Sequence, residues 1–254
     1  MIVLFWDIDG TLLTTGKAGV PAWESAVREV TGRDFQLSSI RVPGLTDYQI
    51  AVRTFELLGV DADEATLRRM VRRYEELLPS TLPLKQGRVL PNVREILDSL
   101  RPRGDVRSYL LTGNTRGGAR AKLTHYDLVD YFPALRQAEG TPSDESRGAG
   151  AFAEDTGERA TIAARALELA RRAGPLSEDQ LYVIGDTPHD IHGATAIGAR
   201  TIAVATGGYS IQELEPHHPW RLFEQLPPPE EFIGLLRPES RTPNPESRLA
   251  SRQG

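Results

Sequence analysis

FWDIDGTLL, residues 5–13, closes an apolar run that begins at the second residue and then places two aspartates, a glycine and a threonine within five positions. Charge at the end of a buried strand is costly unless it meets a metal, a partner or solvent. In extended backbone, residues i and i+2 point to the same side, so Asp7 and Asp9 can face one ligand while that conformation lasts. Gly10 permits a tight turn and Thr11 adds a hydroxyl beside it, which lets backbone and side chains approach an anion closely. A calcium loop of the EF-hand kind needs further oxygen ligands, and residues 7–18 do not supply them.

Outward from this stretch, residues 2–6, 108–111, 181–184 and 201–205 read as buried strands, each a β-rich run ending in polar or glycine punctuation. Helical periodicity covers 92–100 and 159–172, the second with Ile162, Ala163, Ala166, Leu167 and Ala170 on one face. This alternation predicts an α/β fold with a doubly wound, mainly parallel Rossmann-like sheet, which binds ligands at the carboxyl ends of its strands. Residues 21–30, 47–58 and 63–78 read as helices with no strand between them, an α-helical insertion placed where a lid belongs. The expected organisation is a discontinuous core of 1–14 and 88–236, a helical cap of 15–87, and a poorly ordered tail of 237–254. The polar, glycine-rich stretch 137–150 is expected to be a surface loop.

Composition narrows the chemistry. The 254 residues are 39% hydrophobic with a formal net charge of −5, enough for a core plus a smaller appended domain and without the basic footprint of a nucleic-acid or anionic-membrane binder. The arginine-rich run at 68–78 reads as a solvated helix face with Arg72 and Glu76 at i,i+4. No cysteine is present, which excludes disulfides, thiolate metal sites and cysteine nucleophiles. The first apolar run has five residues before Asp7 and no basic flank, so a soluble, cytoplasmic protein with a small diffusing partner is expected.

Two further stretches repeat the opening pattern. In VIGDTPHD, residues 183–190, Asp186 ends an apolar run, and Asp190 lies near a helix start with Pro188 suited to its first position. Alone this is either a capped turn or a ligand set; with Asp7 and Asp9 it points to an oxygen-ligated Mg²⁺. In LLTGN, residues 110–114, a strand ends in Thr112, Gly113 and Asn114 ahead of a helix, the arrangement of a turn or of an anion site.

In order, D-x-D-G-T, T-G-N, a basic residue and G-D-x-x-x-D resemble the haloacid dehalogenase-like (HAD) hydrolase superfamily, specifically its phosphatases similar to phosphoglycolate phosphatase, to about residue 235. The resemblance implies Asp7 as nucleophile and Asp9 as general acid and base. It implies Mg²⁺ held by Asp7, Asp186 and the Asp9 carbonyl, with Asp190 behind the metal site. Thr112 and the N–H groups of Gly113 and Asn114 would hold phosphoryl oxygens of a small phosphorylated metabolite. The family's basic residue is usually a lysine, and none follows Lys122; Arg159, 27 residues before Asp186, takes that place, with Arg147 and Arg165 as rivals. GLTDYQI, residues 44–50, resembles a cap segment whose Thr46 or Asp47 either caps a helix or meets substrate. Trp6, where phenylalanine is common, is expected to pack in the core.

Other chemistries separate on the same residues. A dehalogenase needs no second carboxylate like Asp9, and a phosphonatase needs a cap lysine for its Schiff base, whereas Lys17 and Lys85 only flank the cap. A phosphomutase, a signalling module phosphorylated on aspartate, and a non-catalytic relative stay as alternatives. Oligomeric state is not addressed by the sequence.

Overall fold

The computed structural model describes residues 1–136, 150–153 and 158–236. Of the expected loop at 137–150 only Gly150 is described, and it opens a short strand; the rest of that loop, the tail at 237–254 and the rival Arg147 lie outside the described residues. The chain runs β1 (Ile2–Trp6), β2 (Leu13–Thr14), α1 (Gly19–Thr31), α2 (Asp47–Leu58), α3 (Glu64–Thr81), β3 (Arg88–Val89), α4 (Val93–Leu100), β4 (Val106–Leu111) and α5 (Arg116–His125). It continues with β5 (Gly150–Ala151), α6 (Arg159–Arg172), β6 (Leu181–Gly185), α7 (Pro188–Ala196), β7 (Arg200–Val204), α8 (Ile211–Leu214), β8 (Arg221–Phe223) and α9 (Pro229–Leu235).

Six strands form one sheet in the order β5-β4-β1-β6-β7-β8, and every pairing is parallel. β1 is central because it can be buried on both faces: Ile2, Leu4 and Trp6 join one apolar cluster, Val3 and Phe5 the other. That alternation is the strand period applied to a sheet covered by helices on both sides. The α6 stripe of Ile162, Ala163, Ala166, Leu167 and Ala170 fills the second cluster, as its spacing predicts. This is the doubly wound Rossmann-like architecture, and it brings the ends of β1, β4 and β6 side by side.

Between β2 and β3 the chain leaves the sheet for α1, α2 and α3. The entering and leaving segments pair with each other, Leu13 with Val89 and Thr14 with Arg88, so the helical insertion hangs on a two-stranded antiparallel stem. Trp23, Met70, Tyr74 and Phe55 give these helices an apolar interior, with Trp23 edge-on to Tyr74 at 5.0 Å. No helix among the described residues is long and apolar enough to cross a membrane.

Some boundaries differ from the sequence expectation. Asn92 stands outside α4 because it turns the chain at φ 65, its amide donating to the Leu226 carbonyl at 2.7 Å. α3 extends to Thr81 through Pro79, which lies in its last turn. On the arginine-rich run, Glu76 pairs with Arg73 rather than Arg72, and Arg73 also binds Glu29 of α1. The exposed face is solvated, as read, but one arginine of it staples α3 to α1.

Candidate active site

Asp7 is the first residue beyond β1, its N–H bonded to the Ile184 carbonyl of β6 at 3.0 Å. The neighbouring strand therefore fixes where its carboxylate emerges. Gly10 turns the chain at φ +82, and a Cβ there would stand 2.3 Å from Asp186 Oδ2. Gly207 is tighter still, at 1.7 Å from the same oxygen. Two backbone segments thus form a cradle around the Asp186 carboxylate that only glycine permits.

Asp7, Asp186 and Asp190 each offer one oxygen, all within 4.8 Å of one another and all buried. Burial pushes the Asp7 carboxyl up to about 7, opposed by Arg159 and reinforced by Asp190 and Asp9. Burial followed by the Asp7 and Asp190 charges drives Asp186 well above the usual carboxylate range. Three buried carboxylates, of which Asp7 and Asp186 are held above the usual carboxylate range, in a cradle lined by glycine, are a donor set suited to a hard divalent cation. Asp190 is already engaged: its Oδ2 accepts from Thr187 N at 3.1 Å and Thr187 Oγ1 at 2.8 Å, a reciprocal cap on α7, and its Oδ1 accepts from Arg159.

Arg159, the first residue of α6, is buried and donates through Nη2 to Asp7 Oδ1 at 2.9 Å and to Asp190. Burial works against its charge, but Asp190 and Asp7 outweigh burial and hold the guanidinium protonated. Arg165 lies exposed on the same helix. Gly113 packs so close to the guanidinium that a Cβ there would sit 3.0 Å from Arg159 Nη1. The Gly113 N–H has no partner among the described residues.

Thr112 Oγ1 accepts from Asn114 N at 3.3 Å and Asn114 Nδ2 at 2.8 Å, so its own proton is available to an incoming acceptor. Asn114 Nδ2 also donates to Asp9 Oδ2 at 2.9 Å. Lys122 of α5 completes this group, 2.5 Å from Asp9 Oδ2 and 2.5 Å from Asn114 Oδ1. Asp9 therefore does not share the Asp7 surroundings: its side chain is 42% exposed and its partner is an ammonium 7% exposed. Sequence reading passed over Lys122. The available signal was a lysine in a helical stripe with Ala119 and Leu123, in a chain with 3 lysines.

The helical insertion reaches the same place. Thr46 caps α2 in a reciprocal arrangement with Gln49, both bonds 3.1 Å. Asp47 N donates to the Gly113 carbonyl at 2.9 Å, and Asp47 Oδ2 accepts from Thr115 N at 2.9 Å, where α5 begins. Residues 41–47 thus cross the strand ends as a strap: Arg41 binds Glu213, Pro43 lies against Gly208, and Gly44 against His189. Burial and the nearby Arg159 charge hold the half-buried His189 ring below its ordinary pKa.

A parallel α/β sheet presenting a buried aspartate, arginine and carboxylate cluster at its carboxyl edge, under a helical insertion, defines a class of hydrolase. The family model for haloacid dehalogenase-like hydrolases matches residues 4–195, and the chain belongs to that family. It is 25% identical over 245 residues to a phosphoglycolate phosphatase of Rhodospirillum rubrum, covering 92% of each chain. Solved structures share the fold. A HAD hydrolase of family IA, variant 3, from Entamoeba histolytica superposes with a TM-score of 0.67 at 16% identity, covering 93% of this chain and 99% of that one. CbbY from Rhodobacter sphaeroides, in complex with phosphate, gives 0.66 at 16% identity, with 89% and 95% covered.

Proposed function

We propose that this hydrolase is a Mg²⁺-dependent phosphatase that cleaves small phosphomonoesters through an aspartyl-phosphate on Asp7, with residues 1–14 and 88–236 as its core and 15–87 as its cap. The observation that carries the reading is Asp7 itself, buried at the end of the central strand and bonded to Arg159, whose guanidinium packs against Gly113, a residue whose N–H has no partner among the described residues. Asp7 attacks phosphorus, the bond to the leaving oxygen breaks, and Asp9 supplies the proton that this oxygen takes up. Asp9 then removes a proton from water as its oxygen attacks phosphorus and the bond to Asp7 breaks. Proton transfer of this kind contributes about 10²–10⁴-fold. Arg159, the Thr112 hydroxyl and the Gly113 N–H stabilise charge on the phosphoryl oxygens, as fixed donors aimed at developing charge do.

A divalent cation would be held by Asp7 and Asp186 with the Asp9 carbonyl, Asp190 steadying Arg159 behind them; when bound it supplies positive charge to the nucleophile and phosphoryl oxygens. The name of the Rhodospirillum rubrum relative makes phosphoglycolate the first natural substrate to assay. The direct test is Mg²⁺-dependent hydrolysis of p-nitrophenyl phosphate by wild type and Asp7→Asn. Activity in wild type alone supports the reading, and inactivity of both across metals and pH overturns it.

A further inference from the structure

We infer that Lys122 is a positioning residue for proton transfer: with Asn114 it clamps one carboxylate oxygen of Asp9 and leaves the other open toward the reacting phosphoryl group. The inference rests on the phosphatase reading and deepens it. Lys122, Asn114 and Asp9 form a closed ring. The ammonium reaches Asp9 Oδ2 and Asn114 Oδ1, each at 2.5 Å, and Asn114 Nδ2 returns to Asp9 Oδ2 at 2.9 Å. Both ends of the Asn114 amide are thereby assigned, since a flipped amide would set its N–H groups against an ammonium. Asp9 Oδ2 accepts two bonds, and Oδ1 has no partner among the described residues.

A proton bound for a leaving oxygen thus has one place to reside, Oδ1, on a side chain partly open to solvent. The same ring reaches the anion-binding loop, because Asn114 Nδ2 occupies a lone pair of Thr112 Oγ1 at 2.8 Å and turns that hydroxyl into a donor. A slot needed only for packing would be filled by an apolar residue like its stripe neighbours Ala119 and Leu123, because burying an ammonium is costly. Nor is the slot suited to arginine: an ammonium directs its donors at two acceptors on separate groups, whereas a guanidinium presents a planar fork. The inserted helices cover the ammonium end of the ring, with Glu75 of α3 packed against Gly117 of α5 and Tyr74 and Asp47 in the field of the ammonium.

The test compares wild type, Lys122→Met and Lys122→Arg on two substrates. β-Glycerophosphate departs as an alkoxide that must be protonated, whereas p-nitrophenyl phosphate releases a stable phenolate. For Lys122→Met the expected result is a fall in kcat of about 10²-fold or more on β-glycerophosphate, with KM changed only a few-fold. On p-nitrophenyl phosphate a burst of phenolate is expected, because the first step dispenses with the acid while hydrolysis still needs the base. Lys122→Arg, which keeps the charge, is expected to show the same split in milder form, and it carries the test if the methionine variant does not fold. First-turnover phenolate release slowed as much as β-glycerophosphate turnover, or loss confined to KM, overturns the positioning role. Inactive wild type on both substrates instead sinks the phosphatase reading beneath it.

Discussion

Arg159 Nη2 lies 2.9 Å from Asp7 Oδ1 and also binds Asp190, so one nitrogen of one guanidinium serves two buried carboxylates, one just beyond β1 and one in the first turn of α7. Deleting one partner of a buried ion pair leaves an uncompensated charge, which costs about 3–5 kcal/mol. Arg159→Met is expected to lose stability on that scale in chelator, read by urea unfolding, and to lose turnover. Arg159→Lys keeps the charge without the planar fork, so it should fold with a reduced kcat. A methionine variant as stable as wild type would show that Asp7 and Asp190 need no cation beside them.

Asp7→Asn is expected to do the opposite to stability. Folding lifts the Asp7 carboxyl from its ordinary value of 3.8 to about 7, chiefly through burial. The protonated form therefore favours the folded state, an advantage fully present below the unfolded value and lost as pH rises through the folded one. Asparagine removes that pH-dependent loss. In chelator its melting temperature should exceed that of wild type by more at about pH 8 than at about pH 5, with no phosphatase activity at either. A gain that shrinks as pH rises would contradict the raised carboxyl.

What could be read in advance divides along physical lines. The central strand, the α6 stripe and the acidic ends of β1 and β6 follow from local patterns, because period and strand-end punctuation are properties of short stretches, whereas the meeting of Asp7 with Asp186 followed from the family resemblance. Arg159 was placed by the family resemblance, at a spacing from Asp186 that the family allows, and it stands against Asp7. The stripe marks Lys122 as unusual but not its partner, since Asp9 is 113 residues away and only the packing of α5 beside the first loop joins them. The β2–β3 stem is equally non-local, pairing Leu13 with Val89, and β5 at two residues is too short to carry a period. The Asp47 bond to Thr115 needs the insertion to be folded back onto the sheet before it exists.

Trp6 separates packing from chemistry at the position beside the nucleophile. Its ring is fully buried and stacks on Phe232 of α9 at 5.6 Å, and its Nε1 donates to Ser108 Oγ at 3.2 Å. Trp6→Phe leaves a small cavity and an unpartnered hydroxyl, costing about 1–3 kcal/mol. Its side chain points into the apolar cluster opposite the α6 face, so kcat at saturating substrate should match wild type. Thermal unfolding and steady-state kinetics on one preparation decide this, and a kcat loss with unchanged stability would contradict it.

The strap over the strand ends can be tested at Gly44. Its backbone sits at φ +86, and a Cβ there would stand 2.3 Å from His189 Cδ2, so alanine brings both backbone strain and a collision with the segment that carries Asp190. The backbone part alone costs roughly 1–2 kcal/mol. The collision should push residues 43–47 off the loop that holds Thr112 and Gly113, misplacing substrate and lowering kcat/KM by up to about 10²-fold. Gly59 provides the control: it ends α2 at φ +61 with nothing within 4 Å of a built Cβ, so Gly59→Ala imposes similar strain and no collision. Gly44→Ala is expected to lose much more activity than Gly59→Ala at a comparable loss of melting temperature. Equal activities in the two variants would mean that the contact between Gly44 and His189 does not seat the strap, and that the helices are held over the site by Asp47 and Arg41 instead.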